Sequence, residues 1–185
     1  MNALELLQTR VSRPILKEPA PDRSELEIIF NAALRAPDHA RLRPWRFITI
    51  EGDQRTRLGE LFIAAIKQAT PDADDRTLGK AITKPLRAPM IIVVVASLQP
   101  HPKVPEIEQI ISAGCAAQNI LLAAHALGFG AMWRTGGMAY DPVVKRGLGL
   151  GGNERIIGFI YVGSTSGSER KIASLPIEDF VTSGF

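Results

Sequence analysis

Met90-Ile91-Ile92-Val93-Val94-Val95-Ala96 is a continuous apolar run, which is typical of a strand buried on both faces. Residues 45–50, with the sequence Trp-Arg-Phe-Ile-Thr-Ile, alternate as a half-buried strand does. Shorter apolar runs predict two further strands at residues 129–133 and 156–162. The run at residues 90–97 is therefore expected to be the central strand of a sheet with helices on both faces.

Helices are predicted on either side of these strands. Residues 2–10 have the apolar spacing of a short helix. Ser24 and Glu27 have the spacing of a capping box, which predicts a helix running to Arg35 and stopping at Pro37. Other helices are expected after Gly52-Asp53 and after Asp141-Pro142, whereas residues 70–88 are interpreted as a polar connection.

Residues 106–127 predict one long helix, whose part from Ile110 to Leu127 has no formal charge when His125 is neutral. The segment contains Ser112, Gln118 and Asn119, and its flanks lack the aromatic and basic anchors of a spanning helix, so no membrane span is expected. A helix that is apolar on all sides has to be buried. A subunit interface would supply its second wall, which predicts an obligate homodimer.

The composition predicts a single soluble domain, residues 1–185, of the α+β or α/β sandwich class. A net charge of +3 is too small for a broad basic stripe, so no nucleic-acid partner is expected. Cys115 is the single cysteine and the three histidines are scattered, which argues against a disulfide or a metal site. With no signal-like run at its start, the chain is expected in the cytoplasm.

Basic residues cluster where the predicted helix before Pro37 leads to the strand at 45–50. The cluster contains Arg35-Ala36-Pro37-Asp38-His39, followed by Arg41, Arg43 and Arg46. Two other segments, Arg10-Val11-Ser12-Arg13 and Trp133-Arg134-Thr135-Gly136-Gly137, also place arginine beside hydroxyls or glycines at the end of an element. Such donors could converge on an anion. Alternatively, Arg10 and Arg35 only stabilise helix C-termini.

Nucleotide-binding motifs of the common kinds are missing: the chain has no GxGxxG after a strand and no GxxxxGK[ST]. A bound nucleotide would therefore need another mode of binding.

Several short strings, taken in order and spacing, resemble the flavin-dependent nitroreductase family and its compact members along the whole chain. The strings are Ala3-Leu4-Glu5-Leu6-Leu7, Arg10-Val11-Ser12, Arg35-Ala36-Pro37-Asp38-His39, Pro44-Trp45, Arg87-Ala88-Pro89, Lys103-Val104-Pro105, Ser112-Ala113-Gly114-Cys115-Ala116, Gly128-Phe129-Gly130 and Trp133-Arg134. The resemblance implies a three-layer α/β/α sandwich and a homodimer with FMN at the subunit interface. NADH or NADPH would be the co-substrate.

The resemblance also implies roles for individual residues. Arg10, Val11 and Ser12 would lie on the phosphate and ribityl side of FMN. Arg35 and His39 match flavin-contacting positions, with His39 supplied by the second subunit. Trp133, Arg134 and Thr135 match the strand end along the isoalloxazine, where a backbone N–H points at N5. The nicotinamide nucleotide would contact the helix end formed by Ala123, Ala124, His125, Ala126, Leu127 and Gly128.

The sequence departs from the family pattern at Pro14, where many members have a lysine. Arg35, together with Arg13, is the hypothesised replacement for that cation. Ser168, Arg170 and Lys171 stand where relatives bring a last cation to the phosphate. The Trp133 ring is expected either to stack near the flavin or to fill the core.

The predicted function is an FMN-dependent NAD(P)H oxidoreductase that works by ping-pong hydride transfer to a nitroaromatic or quinone-like acceptor. No side chain is assigned as catalytic, because FMN carries the chemistry. Two alternatives stay open at this point. One is a non-enzymatic flavin-binding or redox-sensing protein, and the other is a nucleic-acid-binding module that uses Arg35 to Arg46.

Overall fold

The computed structural model of the chain describes residues 2–165, 172 and 174–184. Within these residues, five strands form one antiparallel sheet in the order β1-β5-β3-β2, with β4 also paired to β5. The strands are β1 (Leu16–Lys17), β2 (Trp45–Glu51), β3 (Met90–Ser97), β4 (Gly130–Arg134) and β5 (Glu154–Thr165). β3 lies between β2 and β5, which confirms the predicted central position of this run.

The described part of the chain also contains six helices and several short 3₁₀ turns. The helices are α1 (Ala3–Thr9), α2 (Arg23–Ala33), α3 (Gln54–Ala69), α4 (Asp75–Thr83), α5 (Glu106–Ala126) and α6 (Pro142–Gly147). The 3₁₀ turns are His39–Arg41, Lys84–Arg87, Gly137–Ala139 and Ile177–Asp179. The expected helix after Asp141-Pro142 is present, and the Asp141 carboxylate caps it by accepting from the N–H groups of Val143 and Val144.

Helices cover both faces of the sheet, as predicted for a three-layer α/β/α sandwich. Alternate residues of β3 point to opposite faces because side chains in a strand have a period of two. Ile92 and Val94 pack with α2 and α5 on one face. Ile91 and Val93 pack with α3, α4 and α6 on the other. The predicted α+β class and the predicted layers are therefore confirmed.

α5 is buried on one face and exposed on the other. Among the described residues it is the one helix long and apolar enough to meet the criteria for a membrane span. Its inner face, including Ala113, Ala117 and Ile120, is fully buried against the sheet and α2. The chain itself leaves Ile107 and Ile111 58% exposed. Burial of the inner face accounts for the apolar residues on that side and leaves Ile107 and Ile111 uncovered within a single chain.

Some local expectations were wrong. The capping box of α2 is formed by Asp22 and Glu25, because the Asp22 carboxylate accepts from the Glu25 N–H at 2.9 Å and the Glu25 carboxylate accepts from the Asp22 N–H at 2.8 Å. Ser24 instead lies inside the helix and donates to Asp22. Residues 70–88 contain α4, whose N-cap is Asp74, and the 3₁₀ turn Lys84–Arg87.

Candidate functional site

Two of the predicted site segments lie side by side on the outer edge of β4. Ser12 forms a parallel bridge with Ala131, and the Arg13 N–H donates to the Ala131 carbonyl at 3.0 Å. Pro14 has no N–H with which to continue this ladder. The Pro14 carbonyl accepts from Nη2 of Arg134 at 3.2 Å. The Arg10–Ser12 segment and the Trp133–Thr135 segment are thus brought together, as the resemblance implies.

The ladder on this edge ends just before the end of β4. Backbone groups of alternate strand residues face the same edge, so Trp133 faces the same side as Ala131. Opposite Trp133 stands the region of Pro14, which cannot donate. The outer edge at Trp133 is therefore placed to bond a ligand.

A cavity of about 210 Å³ lies at the beginning of β4 and has a cationic lining. Arg10, Arg13 and His125 are among its lining residues, and none of the described lining residues is acidic. His125 Nε2 lies 3.2 Å from Oγ1 of Thr9. Burial and the positive charges of Arg10 and Arg13 lower the pKa of His125. This end of β4 therefore favours an anion while it keeps His125 neutral at pH 7.

A second cavity, of about 390 Å³, lies at the other end of β4 and contains Trp133, Arg134 and Thr135. The guanidinium carbon of Arg134 lies 5.2 Å from the centre of the Tyr161 ring. Arg134 Nε is buried and is the one buried side-chain nitrogen or oxygen of the described residues without a hydrogen-bond partner. Burial raises the pKa of the Tyr161 phenol, against the opposing effect of Arg134 and Arg87. The floor of this cavity is thus formed by the guanidinium of Arg134, which is held in place over the uncharged ring of Tyr161.

The Trp133 ring fills core space and also borders the larger cavity, and its stacking on a flavin stays a prediction. It packs against the core cluster on the α5 face, and its Nε1 donates to the Ile157 carbonyl at 3.2 Å. A Cβ on Gly158 would lie 2.1 Å from that nitrogen, so glycine is required there for the ring to fit. Trp133 also lines the larger cavity.

The Arg35–His39 segment lies elsewhere on the chain. Arg35 is exposed just beyond the end of α2. Nδ1 of His39 lies 2.6 Å from Oε2 of Glu108, and the two side chains are 54% and 44% exposed. The Asp38 carboxylate fixes the loop by accepting from the N–H groups of Leu42 and Arg43.

Backbone strain marks the same loop, because three residues other than glycine have positive φ: Ala40 (60°), Arg41 (55°) and Arg43 (53°). The Ser112 hydroxyl donates to the Pro37 carbonyl and ties the loop to α5. His39 is therefore held on the surface by a strained and well-anchored turn.

The two halves of the predicted site are separated along α5. His39 contacts Glu108 near the beginning of this helix, whereas His125 stands at its end. At a rise of 1.5 Å per residue, the 17 steps from Glu108 to His125 span about 25 Å. A single chain therefore does not bring His39 to the Arg10 segment.

The segment matched to the nicotinamide nucleotide is largely interior. Ala123 and Ala124 are buried in the core, and Leu127 is partly buried against it. His125 and Gly128 line the smaller cavity, whereas the Ala126 side chain is exposed. Ser168, Arg170 and Lys171 lie outside the described residues.

Several residues that line the two cavities are not among the predicted site residues. Lys84 and Arg87 stand in the larger one, and Thr165 stands in the smaller one. Arg87 had a signal, since Arg87-Ala88-Pro89 is one of the strings that carry the resemblance. Among the described residues, no cluster of histidine, cysteine or acidic side chains could hold a metal.

The chain is similar to known proteins along most of its length. A model described as the nitroreductase family matches residues 6–164. "Putative NAD(P)H nitroreductase YdjA" of Escherichia coli K12 is 45% identical over 166 residues, which is 89% of this chain and 88% of that protein. "Putative NAD(P)H nitroreductase" of Haemophilus influenzae is 40% identical over 184 residues, covering 98% of this chain and 99% of its own. A crystal structure from Bacteroides fragilis, described as "Nitroreductase with Bound FMN", has a TM-score of 0.74 at 23% identity over 100% of both chains.

Proposed function

Because this chain belongs to the nitroreductase family, we propose that it is an FMN-dependent NAD(P)H oxidoreductase that reduces a nitroaromatic or quinone-like acceptor. The observation that carries the proposal is the outer edge of β4, where the Arg10–Arg13 segment and Trp133–Thr135 meet between two cation-lined cavities. The relatives named NAD(P)H nitroreductases support the activity, and the FMN-bound neighbour of the same fold supports the cofactor.

The residues present fit a flavin mononucleotide. Its phosphate requires cations and N–H donors, and Arg10 and Arg13 line one cavity with no acidic side chain among its described lining residues. Its planar ring requires an apolar wall beside a backbone edge, which Met132–Thr135 provides. When bound, FMN supplies the hydride and electron transfer.

Each segment then has a physical task. The Arg10 guanidinium and the Ser12 hydroxyl bind the phosphate and ribityl oxygens. The backbone N–H groups at the end of β4 orient the ring and donate towards its N5 edge. Because its surroundings lower its pKa, His125 is neutral and does not add a third positive charge beside Arg10 and Arg13. The nicotinamide nucleotide and the acceptor occupy the same cleft in turn, which is a ping-pong order.

We further propose that the working unit is a homodimer whose partner supplies His39. The exposed apolar residues of α5, Ile107 and Ile111, lie on the same helix as Glu108, which holds His39. A twofold interface uses the same patch on both subunits, so it can place the beginning of one α5 near the end of the other. The same proposal includes a cytoplasmic location. The chain has a single cysteine, so it needs no internal disulfide and suits a reducing compartment.

The absorption spectrum of the purified protein, followed by NADPH consumption with a nitroaromatic, tests the proposal. We expect flavin bands at about 450 nm from FMN chemistry and steady-state turnover. A flavin spectrum with negligible turnover would instead support the non-enzymatic flavin-binding alternative. A colourless protein with salt-dependent RNA or DNA affinity would support the nucleic-acid alternative.

A further inference from the structure

Three cations face the cavity of about 390 Å³. Lys84 and Arg87 come from the 3₁₀ turn after α4, and Arg134 comes from the end of β4. In the described part of the chain, none of the three forms an ion pair with a carboxylate. Like charges around one cavity repel each other, and an anion bound among them would offset that repulsion.

Much of the remaining wall of this cavity is apolar or aromatic. They are formed by Phe62, Met132, Met138, Phe159 and Tyr161. The rings of Phe62 and Phe159 meet edge to face, with centroids 5.7 Å apart at 82°. An inorganic anion would leave these walls wet, whereas a flat aromatic body would cover them. The volume also suits a small organic molecule.

The cavity has a defined shape, because the Arg134 side chain on its floor is held by two contacts. Arg134 donates to the Pro14 carbonyl and stacks over Tyr161. Gly136 and Gly137 continue the lining, and nothing lies within 4 Å of a Cβ built on either one. The lining thus combines fixed positive charge, an aromatic surface and, at the two glycines, backbone that no side chain covers.

The cavity adjoins the edge at which the flavin ring is proposed to lie. Trp133 and Thr135 belong both to that edge and to the cavity lining. Pro14, which ends the ladder along β4, is the residue that holds Arg134. A ligand in the cavity would therefore lie beside the ring, at the end away from Arg10.

We propose that this cavity binds the electron acceptor and that the acceptor is an anionic aromatic compound. Lys84 and Arg87 bind its charged group, while the rings of Phe159 and Tyr161 contact its flat body. This inference rests on the proposed function, since it names the class of acceptor for the same site. It assigns a task to Lys84 and Arg87, neither of which is among the residues that the resemblance places at the flavin or the nicotinamide nucleotide.

The test is a pair of acceptors of similar size that differ in charge, anionic 4-nitrobenzoate and neutral 4-nitrobenzamide, on the FMN-loaded protein. In a Lys84→Gln/Arg87→Gln variant, we expect the ratio of kcat/KM for benzoate over benzamide to fall roughly tenfold, because each lost cation weakens only the charged substrate. In the wild type, 0.5 M salt should lower the same ratio. The matched control is Arg76→Gln/Lys80→Gln, which removes two exposed cations from α4 outside the cavity and should leave the ratio unchanged.

Equilibrium binding provides a readout independent of turnover. Quenching of tryptophan fluorescence by 4-nitrobenzoate reports on occupancy, since Trp133 lines the cavity. We expect the dissociation constant to rise roughly tenfold in the Lys84/Arg87 variant and to stay constant in the control.

The alternative outcomes separate the two proposals. An unchanged ratio and an unchanged dissociation constant would overturn this inference. A rise confined to the KM of NADPH would overturn it too, and would assign the cations to the nucleotide. Weaker FMN binding in the Lys84/Arg87 variant would assign the cavity to the cofactor instead. Failure of the proposed function is distinguishable from these outcomes, because FMN-loaded wild-type protein would then reduce neither acceptor.

Discussion

A histidine stands at each end of α5, His39 from the neighbouring 3₁₀ turn and His125 from the helix itself, and the two have opposite electrostatic surroundings. At the beginning of the helix, His39 pairs with Glu108 at 2.6 Å on an exposed surface. At its end, His125 is partly buried beside Arg10 and Arg13, which together with burial lower its pKa. One end therefore presents a histidine held by a carboxylate, and the other gathers positive charge around a neutral ring.

This difference indicates that one chain carries two unlike halves of the proposed site, one at each end of α5. The halves are about 25 Å apart along the helix, which is too far for one ligand group to bridge. In a homodimer with a twofold axis, the beginning of α5 in one subunit can complete the end of α5 in the other. The following predictions test whether the halves differ in this way.

The largest effect is expected from Arg10→Ala. Loss of a charge-assisted bond to phosphate should weaken FMN binding by about 1.5–3 kcal/mol, or roughly 10- to 150-fold. Titration of apoprotein with FMN, followed by flavin fluorescence, measures this change. Arg57→Ala, which removes an exposed cation from α3, is the control and should bind FMN as the wild type does.

The same variant extends to a test of the shared site. A mixed dimer of one Arg10→Ala subunit and one His39→Ala subunit should contain one intact site and one doubly altered site. We expect one FMN per dimer to bind with wild-type affinity. If His39 served its own subunit, the mixed dimer would contain no intact site and no tight binding would be recovered.

Gly158→Ala should disturb the end of β4 and leave the His39 end unchanged. The added Cβ would lie 2.1 Å from Nε1 of Trp133, which is held by the Ile157 carbonyl. Overpacking of this kind costs about 1–3 kcal/mol. The free energy of unfolding, measured with urea, should fall by that amount, and tryptophan fluorescence should shift.

Gly114→Ala is the matched control on the other side of the same ring. Its Cβ would lie 3.9 Å from the Trp133 ring, an ordinary contact, and helix interiors favour alanine over glycine by about 0.5–1 kcal/mol. Equal losses of stability in the two variants would show that the ring is not confined as the structure places it.

The layers of this fold follow from the apolar patterns of the chain. β3 is so uniformly apolar that its central position is predictable, and Asp141-Pro142 correctly indicates the beginning of α6. The predicted start of α2 is wrong by two residues, because Asp22 and Ser24 both have side chains that can cap a helix. Competition between neighbouring caps is decided by backbone geometry, which a sequence pattern does not contain.

The site is only partly predictable for a similar reason. The contact between Arg134 and the Pro14 carbonyl joins residues 120 positions apart. Lys84 and Arg87 lie in a 3₁₀ turn within the stretch whose composition predicts only a polar connection. The structure places Arg134 within hydrogen-bond distance of the Pro14 carbonyl, a contact that no sequence motif indicates. Such placements depend on how β4 packs beside the first motif.

A smaller effect is expected at the exposed end. Glu108→Gln removes the charge that faces His39, and exposed ion pairs contribute about 0–1 kcal/mol. FMN affinity of the dimer should therefore fall by less than about fivefold, and 0.5 M salt should abolish the difference from the wild type. Glu106→Gln, on the same turn of α5, is the control. A larger loss that persists in salt would assign Glu108 a direct contact with the ligand.

The smallest effect concerns pH at the other end. The pKa of His125 is lower in the folded state than the ordinary histidine value of 6.5, so the unfolded chain binds more protons between the two values. Stability should therefore fall as pH drops through 6.5, and the loss should be complete below the folded pKa. His125→Gln can still bond Thr9 but does not titrate, so the difference in unfolding free energy between it and the wild type should change from pH 7.5 to 5.5.

The pKa of His125 can also be measured directly as the midpoint of its NMR titration. Arg10→Gln should raise this midpoint, and bound FMN should do the same because its phosphate offsets the charges of the arginines. A midpoint at or above 6.5 in the wild type without FMN would remove the contrast between the two ends of α5.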